Sequence, residues 1–232
     1  MRRGISILAA ATLLFAFARA FAAPETAAPP AKRALGKYTI YPAERRAEVR
    51  ATVCLNSGIL DFFAVNADSG KEYESVLILE GQCHDLHAAL LALGAKAGAM
   101  PESFKGDAAA PPPKEPAVPG SRVGIVLRWS DDKGGHTANA ESWLIDRATK
   151  RPPEKLEWIF TGSFSGKTSD GQEVYVGDME RTPVGLWYRK ACVLNAASAA
   201  GNPYRGDTLG FEVNSAAVPK AGTEVWVSFV LK

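Results

Sequence analysis

The stretch KEYESVLILEGQCHDLHAALLALG, from Lys71 to Gly94, decides how the fold is interpreted because two different apolar patterns meet in it. Its first half contains SVLIL, which is apolar on both faces and is typical of an interior β-strand. In its second half, Leu86, Leu90 and Leu93 have the spacing of one buried helical stripe, and a glycine follows where a C-terminal cap belongs. The stretch therefore predicts a strand that leads into an α-helix at about Cys83 to Leu93.

Most other apolar runs have the period-2 alternation of half-buried strands. In RAEVRATVCL, Val49 and Val53 fall on one face, so Cys54 is expected on the other. Five more runs are short, rich in β-branched and aromatic residues and bounded by turn residues: GILDFFAV, VGIVLRW, LEWIFTG, EVYVGD and TEVWVSFVLK. With the one helix, these strands predict an α+β fold, in which a mostly antiparallel β-sheet carries one principal α-helix.

Residues 1–22 have the features of a secretory signal peptide. Arg2 and Arg3 precede an apolar run that is shorter than the roughly 20 residues needed to span a bilayer, and Ala20-Phe21-Ala22 forms a small-x-small cleavage site. Removing the segment takes away three arginines and no acidic residue, so the formal net charge changes from +2 to −1. We therefore expect a soluble exported protein, periplasmic or secreted, with no membrane span after cleavage and no basic surface for nucleic acid.

Composition suggests how the mature chain is organised. Residues 23–36 are rich in Ala and Pro and predict a flexible tether, and residues 37–232 have the size of one domain. A second Ala/Pro-rich segment at 96–122 permits two interpretations, a linker between two domains or a long surface loop. The loop is favoured, because neither flank has enough strands and helices to fold by itself.

Six landmarks, in this order, resemble the YdjY-type domain of exported bacterial proteins: RAEVRATVCL, GILDFFAV, KEYESVLIL, HAALLALG, LRWSD and WIFTGSF. The resemblance runs from about Tyr38 to the C-terminal strand. It implies membership of a family with no established activity, some of whose members are described as four-iron, four-sulfur ferredoxins. Such clusters need four thiolates, usually in C-x-x-C spacing. Cys54, Cys83 and Cys192 are isolated, so no cluster is expected within one chain, and the cofactor stays unknown.

Metal-ligating side chains concentrate around the predicted helix start. Cys83 and His87 are i, i+4 neighbours, and with His84 they would present sulfur and nitrogen donors to one transition metal. Glu74 and Cys54 are the further candidate ligands. A second interpretation explains the same residues as a buried, packed thiol at Cys83 and an imidazole at His87 that hydrogen-bonds a carbonyl. The sequence favours this second interpretation.

No catalytic motif is present. GSFSG lacks the central serine of a nucleophile elbow, and there is no phosphate-binding glycine loop. The leading hypothesis is a non-enzymatic exported module that binds a small ligand, a metal or an envelope protein through the junction from Glu74 to His87. One alternative is a metal-binding or redox accessory protein in which Cys54, Cys83 and His87 converge, and another is a structural component of the cell envelope.

Overall fold

The computed structural model describes residues 32–98, 119–154, 156–197 and 200–232. The predicted signal peptide, most of the predicted tether and most of the predicted loop at 96–122 lie outside these ranges. At the two ends of that loop, the backbone N–H of Ser121 donates to the carbonyl of Lys96 across 2.9 Å. The division into signal peptide, tether and one domain stays a prediction.

The described chain forms sixteen short strands and two helices. The bounds of the first eight strands are β1 (Arg33–Leu35), β2 (Tyr38–Tyr41), β3 (Arg46–Val53), β4 (Ile59–Leu60), β5 (Phe62–Asn66), β6 (Ser75–Leu79), β7 (Arg122–Asp131) and β8 (Gly134–Asn139). The others are β9 (Leu144–Asp146), β10 (Glu157–Phe160), β11 (Ser165–Lys167), β12 (Glu173–Tyr175), β13 (Val184–Gly185), β14 (Leu194–Ala197), β15 (Phe211–Val213) and β16 (Glu224–Leu231). The helices are α1 (Cys83–Ala92) and α2 (Val176–Glu180). No helix in the described ranges has both the length and the apolar character needed to cross a membrane.

Eight strands close into a barrel in the order β3, β16, β7, β10, β14, β13, β5 and β6, with β6 pairing back to β3. Six of the pairings are antiparallel, and two, β13 with β14 and β5 with β6, are parallel. One edge of β3 is shared, because β2 pairs with its first half and β6 with its second half. Outside the barrel, β8 extends β7 as a hairpin.

Strand register aligns one apolar face around the whole barrel. Val49 on β3 lies opposite Val227 on β16, which in turn lies opposite Leu127 on β7. Large side chains such as Trp158, Phe160 and Phe229 fill the interior and are fully buried. The barrel therefore has a packed core rather than a ligand cavity, as expected where inward side chains fill eight strands.

The prediction of an α+β fold with one principal helix is wrong. The described part of the chain is mostly β, with 42% of it in strands, a closed eight-stranded barrel and two short helices. The physical reason is closure. A sheet that curls until β6 meets β3 buries its apolar face against itself, so it needs no helical layer to cover that face.

The local prediction for α1 is nevertheless confirmed. The helix begins at Cys83, buries Leu86 and Leu90, and is followed by Gly94 in the left-handed conformation with φ of 87°. It lies across one end of the barrel, where His87 packs edge-on against Phe160 at the end of β10.

Candidate functional site

The five predicted metal ligands fall into two sets at opposite ends of β6. Cys54 and Glu74 lie at its start, where the backbone N–H of Cys54 donates to Val76. Cys83 and its helical neighbours follow its end. A five-residue strand is about 13 Å long, so the structure brings Cys83, His84 and His87 to one end of the barrel and Cys54 and Glu74 to the other.

Cys83, the first residue of α1, is fully buried. Its thiol donates to Oδ1 of Asn66 across 3.2 Å, and Asn66 is a buried polar residue at the end of β5. Burial, with a smaller contribution from the charge of Asp178, raises the pKa of the Cys83 thiol well above its usual value. The sulfur is therefore held as a neutral thiol that packs within the core.

His84 joins the two helices. Its backbone N–H donates to Oδ1 of Asp178 across 3.0 Å, and its ring Nδ1 lies 2.7 Å from the other carboxylate oxygen. Its ring Nε2 lies 3.3 Å from Asp85. The Asp178 carboxylate thus caps the first turn of α1 from α2, which is a favourable place for a negative charge and replaces the cap that the preceding Gln82 does not supply.

His87 belongs to a chain of hydrogen bonds. Its Nδ1 lies 2.8 Å from the hydroxyl of Tyr175, which donates its own proton to the carbonyl of Gly162 across 2.8 Å. Because that proton is committed, His87 donates from Nδ1 to the Tyr175 oxygen. Burial lowers the pKa of His87, and the backbone carbonyl of Gly162 offsets part of this decrease. The neutral imidazole is therefore favoured.

At the other end of β6, Cys54 and Glu74 make polar contacts with different partners. The Cys54 thiol donates to the carbonyl of Ser75 across 3.0 Å, and burial raises its pKa to about 11. Glu74 is buried and accepts a short hydrogen bond from the hydroxyl of Tyr204. The backbone N–H of Asp61 donates to the Glu74 carbonyl, which places a second buried carboxylate beside it.

Asp61 is a residue that sequence reasoning missed. Its carboxylate accepts from Nε1 of Trp187 across 3.0 Å and from the Arg189 guanidinium across 2.6 Å. Burial raises the pKa of Asp61, while Trp187 and Arg189 act in the opposite direction. Arg189 also stacks on Trp187 and on Phe62. A buried, paired carboxylate of this kind is well suited to fixing the loop before β14 in place.

The described residues do not bring the predicted ligands together into one metal site. Within the described ranges, no group of three or more His, Cys, Asp and Glu side chains is placed to hold a metal ion. A four-iron, four-sulfur cluster needs four thiolates, whereas this chain has three cysteines, of which Cys54 is far from Cys83. The residues do not fit such a cluster. Binding of a transition metal by the predicted residues stays a prediction.

The outer face of the barrel carries a groove that sequence analysis did not identify. Trp226 on β16 lies directly opposite Arg50 on β3 and Arg128 on β7. Its side chain is 43% exposed, so the three side chains form a row of guanidinium, indole and guanidinium across adjacent strands. The groove has a volume of about 590 Å³. We call it the tryptophan groove and define it by Arg50, Arg128, Thr137, Glu224 and Trp226.

On the inward face of the β7–β8 hairpin, opposite Trp226 and Arg128, lie Trp129 and His136. His136 stacks on Trp129 with ring centroids 5.1 Å apart and an angle of 18° between the planes. Trp129 in turn packs edge-on against the buried Trp143, and Nε2 of His136 lies 2.8 Å from Asp131. Both rings therefore pack against the fold on the side of the sheet opposite the groove.

Alternation along each strand already places Arg50, Arg128 and Trp226 on polar faces. What unites them is the pairing of β16 with both β3 and β7, which joins residues far apart in the chain. No pattern within a single strand reports that register. Aromatic residues in short strands usually belong to the core, so the residue type by itself predicts a buried Trp226. In the structure Trp226 is exposed.

Comparison with known proteins supports the resemblance seen in the sequence. The family model of the YdjY domain matches residues 44–230. No curated protein and no solved structure matches the chain. The matched segment contains the complete eight-stranded barrel except for the last residue of β16. Since the match covers most of the chain, this protein belongs to the YdjY domain family.

Proposed function

We propose that this protein is an exported, non-enzymatic binding module that takes its ligand in the tryptophan groove. The observation that carries the proposal is Trp226, a large aromatic side chain left exposed between two arginines on the outside of a barrel whose interior is filled. Exposed aromatic surface flanked by planar hydrogen-bonding groups is the chemistry of ligand recognition.

The groove is held in shape before any ligand arrives. Arg50 is bound by Glu224 across 2.9 Å and by Glu80 across 3.2 Å. Arg128 forms a short ion pair with the buried Glu48, which also accepts from Ser228 across 3.0 Å. Because the buried Glu48 holds the Arg128 guanidinium, this side chain loses little entropy on binding, which favours affinity.

The chemistry of the reactive groups supports a non-enzymatic role. Burial raises the thiol pKa of Cys54 and of Cys192 to about 11, and that of Cys83 well above its usual value, so none is a ready nucleophile at neutral pH. The buried carboxylates of Asp61 and Glu74 are engaged by Arg189 and Tyr204. These groups serve the fold.

The proposal moves the binding site away from the strand-to-helix junction. That junction runs from Glu74 to His87 and spans the length of β6, so its two ends do not face one ligand. The tryptophan groove instead places an exposed indole and charged side chains around one groove with a volume of about 590 Å³, inside the range of about 300 to 1,000 Å³ typical of ligand pockets.

Binding is tested with the mature chain and panels of oligosaccharides, peptides and nucleotides, followed by tryptophan fluorescence and calorimetry. We expect one class to bind, and Trp226→Ala to weaken its affinity about tenfold, as truncation of an aromatic anchor does. Tyr73→Ala is the matched control, since Tyr73 is exposed at the Glu74 end and should leave affinity unchanged. Binding that is insensitive to Trp226→Ala, or no binding by any class, would contradict the proposal.

A further inference from the structure

We infer that a second site, on the side of the barrel away from the tryptophan groove, binds a small carboxylate with a flat apolar body. The site is a cavity of about 360 Å³ formed by α2, by Phe164 and by residues of the segment that joins β13 to β14. In the closed barrel β13 lies four strands from β16 in either direction. We call the cavity the lysine pocket and define it by Phe164, Val176, Glu180, Trp187, Arg189 and Lys190. The inference goes beyond the proposed function and does not depend on it.

The charges around the lysine pocket do not balance. Arg189 pairs with the buried Asp61 across 2.6 Å, and Glu180 pairs with Lys71 across 2.8 Å. Lys190 is exposed, and its ammonium forms no ion pair with any side chain of the described ranges. The pocket therefore has one uncompensated positive charge, and a ligand with one negative charge balances it.

The surface beside that positive charge is apolar. The Lys190 ammonium lies 4.7 Å from the centroid of the Phe164 ring, and Phe164 is 36% exposed. The buried Val176 and the half-buried Trp187 also line the pocket, and the backbone N–H of Val176 donates to the carbonyl of Phe164 across 2.9 Å. A ligand that joins a negative charge to a flat apolar body therefore contacts the ammonium and the apolar lining together.

Arg189 supplies directed hydrogen-bond donors and is held in place before a ligand binds. Its Nη1 donates to Asp61, and its guanidinium lies 4.6 Å and 4.8 Å from the ring centroids of Phe62 and Trp187. Nε1 of Trp187 donates to the same carboxylate across 3.0 Å, so Asp61 fixes both side chains. A guanidinium has five N–H donors, of which Asp61 uses part, and the others suit the oxygens of a second carboxylate. This order in the free protein reduces the entropy lost on binding.

Size and charge together favour a small aromatic acid over other anions. A volume of about 360 Å³ is near the lower limit of about 300 Å³ for ligand pockets, so the cavity suits a ligand of one or two rings. A phosphate ester carries a charge of about −1.5 to −2 near neutral pH, which exceeds the single charge of Lys190 and brings more negative charge near Glu180. Acetate or another anion without an apolar body would leave Phe164 and Val176 without a partner.

Calorimetry with the mature chain and three probes tests the inference: 3-phenylpropionate, its neutral amide and acetate. We expect 3-phenylpropionate to bind with a Kd of about 1 mM or below, and the other two at least about tenfold more weakly, since one lacks the charge and the other the ring. The affinity for 3-phenylpropionate should fall between about 0.05 M and about 0.5 M salt, because salt screens exposed charges. An amide or acetate that binds as tightly as 3-phenylpropionate, or no binding of 3-phenylpropionate, would overturn the inference.

Variants at exposed positions locate the binding. Lys190→Gln and Phe164→Ala should each weaken binding of 3-phenylpropionate about tenfold, and Lys190→Arg should retain most of the affinity. Lys220→Gln, at an exposed lysine in the loop before β16, is the matched control for the loss of one positive charge and should leave the affinity unchanged. Binding that survives both Lys190→Gln and Phe164→Ala would overturn the lysine pocket as the site. Trp226→Ala should also leave this binding unchanged, so a failure of the inference is distinguishable from a failure of the proposed function.

Discussion

The three cysteines differ in what surrounds each sulfur atom. Cys83 and Cys192 are fully buried, whereas Cys54 is partly exposed, and all three are free thiols. The Cys83 thiol donates to Asn66, and this contact joins the start of α1 to the end of β5. At the scale of the residue, Cys83 therefore behaves as a small core side chain with one hydrogen bond.

We predict that Cys83→Ser lowers the free energy of unfolding by about 1 to 3 kcal/mol, because it places a hydroxyl in a site shaped for a weakly polar thiol. Urea denaturation measures the change, and Cys54→Ser at a partly exposed position should have a smaller effect. In the native protein, Cys83 should not react with a thiol reagent until denatured. Stoichiometric metal in the purified protein that Cys83→Ser or His87→Ala removes would contradict this role.

The burial of His87 is expected to make the free energy of unfolding depend on pH. Its pKa in the folded state lies below the value of 6.5 of a free imidazole, chiefly because of burial. Between these two values the unfolded chain binds more protons, so this contribution to stability is complete above pH 6.5 and is lost as the pH falls towards the folded pKa.

We therefore predict that the wild type loses more stability than His87→Gln when the pH is lowered from about 7.5 to about 5. Urea denaturation at each pH measures the free energy of unfolding of the wild type and of His87→Gln. Contributions of His84 and His136 cancel in the comparison, because both proteins retain these residues. Tyr175→Phe keeps the buried imidazole and should retain the pH dependence. Equal slopes for the wild type and His87→Gln would show that the burial of this imidazole has no consequence for stability.

At the scale of the element, α1 is a cover for one end of the barrel. Its inner face contributes Leu86, Ala89 and Leu90 to the main core, and its first turn is capped by Asp178 from α2. Leu91, the next residue along the helix and about 100° further around it, is 49% exposed. A helix with this division is stabilised by packing on the barrel more than by its own ten residues.

We predict that Leu86→Ala lowers the free energy of unfolding by about 2 to 5 kcal/mol, the range for removing a fully buried leucine from a core. Leu91→Ala, on the same helix, should change it by less than about 0.5 kcal/mol. Urea denaturation of both variants tests the prediction. A loss of similar size in both would mean that intrinsic helix stability, and not packing against the barrel, decides the result.

At the scale of the whole molecule, the closed sheet explains why binding is expected on the outside. Interior positions are filled by large side chains, so ligand contacts fall to residues on the outer face, such as Arg50 and Trp226. Closure of the barrel by β6 and β3 also removes two free strand edges that would otherwise invite association.

The prediction of export concerns residues 1–22, which lie outside the described ranges. We predict a mature N-terminus at Ala23 in exported material, because Ala20-Phe21-Ala22 forms the cleavage site. Intact-mass measurement of the protein recovered outside the cytoplasm tests it. A mass that still includes Met1 would contradict cleavage, and replacing Ala22 with a bulky residue should make the precursor accumulate.

The sequence by itself determined the local elements. Alternation placed β3 and β16, the leucine spacing placed α1, and the glycine after it was correctly predicted as the C-terminal cap, because each depends on residues within one or two turns of chain. The order of the landmarks also identified the family. For the candidate site, the sequence favoured the interpretation of Cys83 as a packed thiol. The hydrogen bond from Cys83 to Asn66 supports this interpretation.

Only the tertiary structure decided that the sheet closes and where its outer side chains meet. The pairing of β6 with the second half of β3 turns an open sheet into a barrel, and it depends on how far the strands twist and coil together. The row of Arg50, Trp226 and Arg128 likewise exists because β16 lies between β3 and β7 in one register. Each strand carries its own periodicity but no record of its neighbours, so strand order and register, and with them the groove, arise when the apolar faces are buried together.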